Sequence, residues 1–228
     1  MAVTYLAGNT AEGASTSTIT IAHTCNAAAT ILFFAIDFNY LNAPTSASVT
    51  WNGSPMTPVF FLKRTSYTSA GLWYIVTPTT GNKNFVVTFS GGDTTPNYAA
   101  CIASYSGGTT VDTPVGTEGD GTDIHTGNIE SATGDLVVGA AGNNDTTLAE
   151  DVAHTERQYI RNADGSACSI IEEDGAATVN LGWTGGASAE WVCGGVSVNP
   201  TAAGGRTTRN TASNQLGQGY GMNLRQVR

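Results

Sequence analysis

No window of a dozen residues in this chain carries apolar side chains at the three-and-four spacing of an amphipathic helix. What recurs instead are short runs of Val, Ile, Thr, Tyr, Phe and Trp. Among them are STITIAHT (17–24), TILFFAIDF (30–38), MTPVFFLKR (56–64), AGLWYIV (70–76), NFVVTFSG (84–91) and YAACIASYS (98–106). DLVVGAAG (135–142), SACSIIEE (166–173) and EWVCGGVSV (190–198) continue the series. The 28 Gly and 7 Pro fall mostly between such runs and break them. In NFVVTFS the side chains of Phe85, Val87 and Phe89 share one face, because successive strand residues point to opposite sides. TILFFAIDF is apolar on both faces, as a central strand would be. About a dozen short strands with turns between them mean a sandwich or barrel. The expectation is an all-β, jelly-roll-like antiparallel β-sandwich with an extended C-terminal arm.

The turn chemistry agrees. WNGSP (51–55) sets Asn-Gly between two apolar runs, a strong two-residue hairpin signal, and pairs ASVTW with MTPVFF. A faint internal repeat lays VTFSGGDTTPNYAAC (87–101) on VNLGWTGGASAEWVC (179–193), and LFFAIDFN (32–39) on LVVGAAGN (136–143). The first match equates Cys101 with Cys193. Residues 1–200 are therefore expected to form one sandwich, with pseudo-repeated halves at about 1–110 and 123–200 as the alternative division. Residues 201–228 form the arm.

Charged residues are only 12% of the chain, about half the usual share, so Thr, Ser, Asn and Gly must cover the surface. The net charge is −9. Up to residue 203 there are 18 acidic and 5 basic side chains, and a body of that sign repels phosphate backbones. No nucleic-acid partner is expected. No run approaches the ~18 apolar residues of a membrane span, so no membrane partner is expected either. MAVTYLAGNTAEGAS lacks the basic start and apolar core of a signal peptide. Cys25, Cys101, Cys168 and Cys193 lie far apart in apolar runs, and free buried thiols are the expectation.

Residues 204–228 reverse the charge. They hold no acid and four arginines, Arg206, Arg209, Arg225 and Arg228. They have too few apolar groups to offset chain entropy alone. Leu216, Tyr220, Met222 and Leu224 are candidate anchors on a partner, and the arginines would meet acidic surface. Partner binding is thus expected through the arm.

Other chemistry is weaker. SYSGG (104–108) is not a nucleophile elbow, and His23, His125 and His154 stand apart in the sequence. Glu118, Asp120 and Asp123 in EGDGTD, read as a loop, lack EF-hand spacing, as do the acids of NNDTTLAEDVAHTE (143–156). Glu172, Glu173 and Asp174 are adjacent, and neighbours on a strand face opposite ways. No catalytic residue, metal site or cofactor is expected. Core packing is the expectation for the tryptophans; Trp51, which borders the hairpin, is the candidate among them for exposure and for stacking on a sugar ring.

The order ITIAHT, ILFFAIDF, SVTWNGSPMTPV, AGLWYIVTPTTGNKNFVVTFSGG, YAACIASYSGGTTVDTPVG and AEWVCGGVSVNP resembles a β-sandwich module of tailed-phage virion proteins and bacterial surface proteins. The resemblance runs from Ile19 to Pro200 and lies in strands and turns, not in a chemical site. It implies a non-enzymatic structural protein of a phage particle, located in the virion. A capsid decoration or minor head protein would dock through its arm on other copies of itself and on a capsid or other virion protein. The alternative it implies is a glycan-binding tail, fibre or adhesin module using Trp51.

Overall fold

The computed structural model describes residues 2–201 apart from 16, 40–42, 66, 93–94 and 145–146. The protein is all-β: 73% of the described residues are strand, and no helix occurs among them. The first half contains β1 (Thr4–Ala14), β2 (Thr18–Cys25), β3 (Ile31–Asn39), β4 (Ser46–Trp51), β5 (Ser54–Pro55), β6 (Thr57–Arg64), β7 (Thr68–Val76), β8 (Gly81–Ser90) and β9 (Asn97–Ser106). The second contains β10 (Gly108–Val111), β11 (Val115–His125), β12 (Ile129–Glu130), β13 (Leu136–Asn144), β14 (Leu148–Glu150), β15 (Thr155–Arg161), β16 (Ser166–Asp174), β17 (Thr178–Val179) and β18 (Gly182–Pro200).

The first half is a jelly roll. One sheet runs β1-β9-β3-β7-β6 and the other β2-β8-β4-β5, all antiparallel, so the chain crosses repeatedly from sheet to sheet. Alternation explains each layer. In β2 every second residue, Ile19, Ile21, His23 and Cys25, turns inward. On β3, Leu32, Phe34, Ile36 and Phe38 share a core with the β2 isoleucines and with Trp51, Phe85, Val87 and Phe89. Asn52 and Gly53 both have positive φ, 50° and 81°, as a two-residue hairpin requires, and Trp51 pairs with Ser54. The hairpin is shorter than the sequence suggests. Ser54–Pro55 pair with β4 and the Met56 amide donates to the Val49 carbonyl, after which Thr57–Arg64 pass to the opposite sheet.

The second half repeats this order. Its large sheet places β18, β13, β16 and β15 side by side, with β10 and β11 along the outer side of β18. Its outer sheet keeps the β2-β8-β4 order with shorter strands: Asp123–His125 of β11 and then β12 pair with Gly182–Thr184 of β18 and then β17, and β14 pairs with the other side of the start of β18. The large sheets of the two halves stack: β1 over β15, β9 over β16, β3 over β13, β7 over β18, β6 over β11. Exchanging the halves leaves this stacking unchanged, as an approximate two-fold axis between β3 and β13 would. The odd residues Ile31, Phe33 and Ala35 and the even residues Leu136, Val138 and Ala140 meet in that seam. A third core under β12-β17 holds Val137, Ile171, Trp183 and Cys193.

Register corrects the sequence alignment by one residue. Asn39 lies opposite Thr68, and Asn144 opposite Ser166, so Ile31 corresponds to Leu136 rather than Leu32 to Leu136. Likewise Cys101 lies opposite Ala35 and Gly194 opposite Ala140, so Cys101 corresponds to Gly194. All four cysteines are free and buried. Cys101 faces the seam and Cys193 the outer core, because a one-residue slip moves a side chain to the other face. EGDGTD, read above as a loop, is part of strand β11.

Candidate functional site

A buried acid ties the two halves together across the seam. Asp37 on β3 is wholly inaccessible. Thr68 Oγ1 donates to its Oδ1 at 3.2 Å, and Ser166 Oγ lies 2.6 Å from Oδ2 and 3.1 Å from the Asp37 carbonyl. Thr68 and Ser166 occupy equivalent places in the two halves, so each half contributes one hydroxyl to the same carboxyl. Burial pushes the Asp37 pKa well above the usual carboxylate range, against the lowering pull of Ser166, Thr68 and the Ala167 amide. A neutral carboxyl suits the geometry: its O–H can donate to Ser166 Oγ while the Ser166 hydroxyl donates to the Asp37 carbonyl. Gly142 abuts this group, and a Cβ there would lie 2.6 Å from Oδ1.

Polar clusters close the two sides of the seam. On one side Arg64 of β6 bonds Asp120 at 2.7 Å and lies 3.7 Å from Glu118, both on β11. Its guanidinium lowers the pKa of Asp120. Glu190 joins them, accepting from Thr65 and from the Tyr67 amide. On the other side Arg157 of β15 pairs with Glu172 and sits 4.8 Å above the Tyr5 ring, while Gln158 donates to the Tyr5 hydroxyl. Burial and the Glu172 carboxylate raise the pKa of the enclosed Tyr105 well above its usual value. Glu173, one residue on, faces away, 2.9 Å from His154 Nδ1. His154 Nε2 accepts from the Gly182 amide, which fixes the proton on Nδ1. The arginines of both clusters pair with carboxylates of the same cluster. Among the described residues no group of three or more His, Cys, Asp or Glu is placed to hold a metal ion.

Charge is divided between the halves. Residues 1–106 hold three acidic and three basic side chains. Residues 107–201 hold 15 acidic and 2 basic ones, a formal charge of −13. A charge sum over the whole body hides this division, and counting by half reveals it.

The outer face of the acidic half has a groove of about 1100 Å³. One wall is Val111, Asp112, Thr113 and Val115, the link from β10 to β11; the other is the β12-β17 pair with Glu130, Ser131, Ala177 and Thr178. In the first half a four-stranded outer sheet lies over the large sheet; here the strands beside the groove, β12 and β17, are two residues each. The last described residues pass beside the groove. Asn199 Nδ2 donates to Asp112 at 3.0 Å, and the Thr201 amide donates to the Gly107 carbonyl.

The sequence candidates fall out as follows. Arg206, Arg209, Leu216, Tyr220 and the other arm residues up to Arg228 lie outside the described residues. Trp51 is not exposed: its surface is wholly covered, Phe85 packs 4.5 Å away, and Nε1 donates to the Thr79 carbonyl at 2.9 Å. The hairpin it borders folds its ring inward, onto the first core. Trp73, Trp183 and Trp191 are buried as well.

Comparison with protein-family models gives no match for the chain. Neither the curated proteins nor the solved structures give a match.

Proposed function

We propose that this chain is a non-enzymatic structural protein that assembles through residues 204–228, as a capsid decoration or minor head protein of a bacteriophage particle. The observation that carries the assembly reading is the division of charge. A neutral half is joined to a half of −13, and the chain continues from that acidic half into 25 residues of +4. Opposite charges on one chain attract each other between copies, steer encounter and weaken with salt. The strand-and-turn resemblance to tailed-phage modules supports the virion setting. Burial of Trp51 removes the residue on which a glycan-binding reading rested.

The test compares the full chain with a chain ending at Ala203, by sedimentation velocity at about 0.1 M and about 0.5 M salt. The full chain is expected to self-associate at low salt and to dissociate at high salt. The shortened chain is expected to stay monomeric with an unchanged melting temperature. Equal association of the two overturns the assembly reading. Antibody against the chain is expected to label purified phage particles from the source culture, and bare particles overturn the virion setting.

A further inference from the structure

The groove between the β10–β11 link and the β12-β17 pair stands open on the acidic half. We propose that it is the docking site for the C-terminal segment Leu216–Arg225 of a second copy, an inference that rests on the assembly reading above and names its receptor. Three observations converge on this occupant.

The first is shape. β12 and β17 are two residues long and pair with each other, as the edge strand β2 pairs with β8 in the first half. β12 thus lies at the edge of its sheet, beside the groove. An incoming extended segment can add to the β12 edge, with main-chain hydrogen bonds giving affinity and alternate side chains giving register. The groove's volume of about 1100 Å³ leaves room for the side chains of such a segment.

The second is chemistry. The walls mix apolar Val111, Val115 and Ala177 with the carboxylates of Asp112 and Glu130. The segment LGQGYGMNLR mixes Leu216, Tyr220, Met222 and Leu224 with Arg225 and has no acid. Tyr220 and Met222 share a face of an extended strand and would fill the apolar part. Gly217, Gly219 and Gly221 would share the opposite face, where a missing Cβ lets the backbone lie close to the wall.

The third is reach. Fourteen residues, 202–215, separate Thr201 from Leu216, and they are Gly, Ala, Ser, Thr, Asn, Gln and Arg. Such a spacer spans about 20 Å on average and about 50 Å at full stretch. The chain's own groove lies beside its exit at Asn199, where a spacer of a few residues would serve. The length suits a neighbouring molecule, and exchange of equivalent arms between copies is a low-cost route to assembly.

The experiment uses the full chain with Tyr220→p-benzoylphenylalanine. Heavy-isotope-labelled and unlabelled chains are mixed, irradiated and digested, and the cross-linked peptides are identified by mass. Mixed-isotope cross-links to Val111–Val115 or Asn128–Ser131 are the expected result. Mixed-isotope cross-links to another surface overturn the groove and leave the assembly reading standing. Cross-links within one chain only overturn the second copy as occupant. No cross-link, together with equal association of full and shortened chains, sinks both. No cross-link with association retained by the full chain alone overturns the groove and spares the assembly reading. As an independent check, Glu130→Arg changes an exposed side chain and is expected to weaken self-association about threefold or more and to flatten its salt dependence, since a rim charge acts on encounter. An unchanged affinity and salt dependence overturn the groove.

Discussion

Replacing Asp37 by Asn tests whether the seam is closed by a neutral carboxyl. The folded-state pKa of Asp37 is raised by burial, so the native state keeps a proton that the unfolded chain releases near its ordinary value of about 3.9. The stability from this group is fully present below that pH. It is lost as pH rises toward the raised folded value, at about 1.4 kcal/mol per pH unit for one proton. The amide of the Asp37→Asn variant cannot titrate. It can still donate to Ser166 Oγ and accept from Thr68, but one amide hydrogen lacks a partner, which costs about 1–3 kcal/mol. The variant is therefore expected to be weaker than the native chain at about pH 4 and to overtake it as pH rises. Urea denaturation at unit steps from about pH 4 to about pH 7, followed by tryptophan fluorescence, gives the two stabilities. Their difference cancels every other titrating group. A difference that stays flat across this range refutes a neutral Asp37, and so does one that grows in favour of the native acid as pH rises.

Two further changes probe the same seam. Gly142→Ala would set a methyl 2.6 Å from Asp37 Oδ1 and 2.7 Å from the Ala70 Cβ, and is expected to lose about 1–3 kcal/mol in the same urea assay; an unchanged midpoint would show that the halves do not meet there. Arg157→Met leaves the buried Glu172 without its cation and is expected to cost about 1–3 kcal/mol, scaled down because Arg157 is itself partly exposed, with Glu172→Gln in the same chain recovering part of the loss; a double variant no better than the single would show that the pair is not coupled.

The strands were legible because each buried face prints its own period. ITIAHT alternates, and TILFFAIDF is apolar throughout because both of its faces are covered, by the seam on one side and by the outer sheet on the other. The Asn-Gly hairpin was legible because such a pair accepts two positive φ values cheaply. The exact register of the repeat was not. Gly194 stands where the first half has Cys101, and the like residue beside it, Cys193, draws a sequence alignment off by one. Such a slip is invisible to composition and reverses every facing. The burial of Trp51 was hidden for a related reason: proximity to a turn says nothing about which side of the strand a ring takes. Asp37 left no signal, since a single acid in an apolar run looks like a strand end. Only the second sheet, more than a hundred residues later, brings Ser166 to it.

The two halves share one strand order but bear different loads, and the differences point one way. The faces that meet in the seam are alike in kind: small and branched apolar residues, one hydroxyl from each half on Asp37, and an arginine–carboxylate pair at each side. A two-fold packing needs such likeness, because each surface is used twice. The outer faces are under no such constraint. In the first half a four-stranded sheet covers the outer face, with the rings of His23 and Phe85 against Trp51, and the half carries no net formal charge. In the second, the strands of the cover are shorter, a groove remains, and the carboxylates accumulate. Carboxylates gathered on one half raise its self-repulsion. Their cost is offset when a cationic segment binds, and the chain supplies one immediately after β18. Where the repeat departs from its own symmetry is therefore where a partner is expected. A second half with its two groove carboxylates neutralised, Glu130→Gln and Asp112→Asn, should then fold at least as stably as the native chain while assembling less well. A variant that loses stability and keeps full assembly would place the purpose of those acids inside the fold instead.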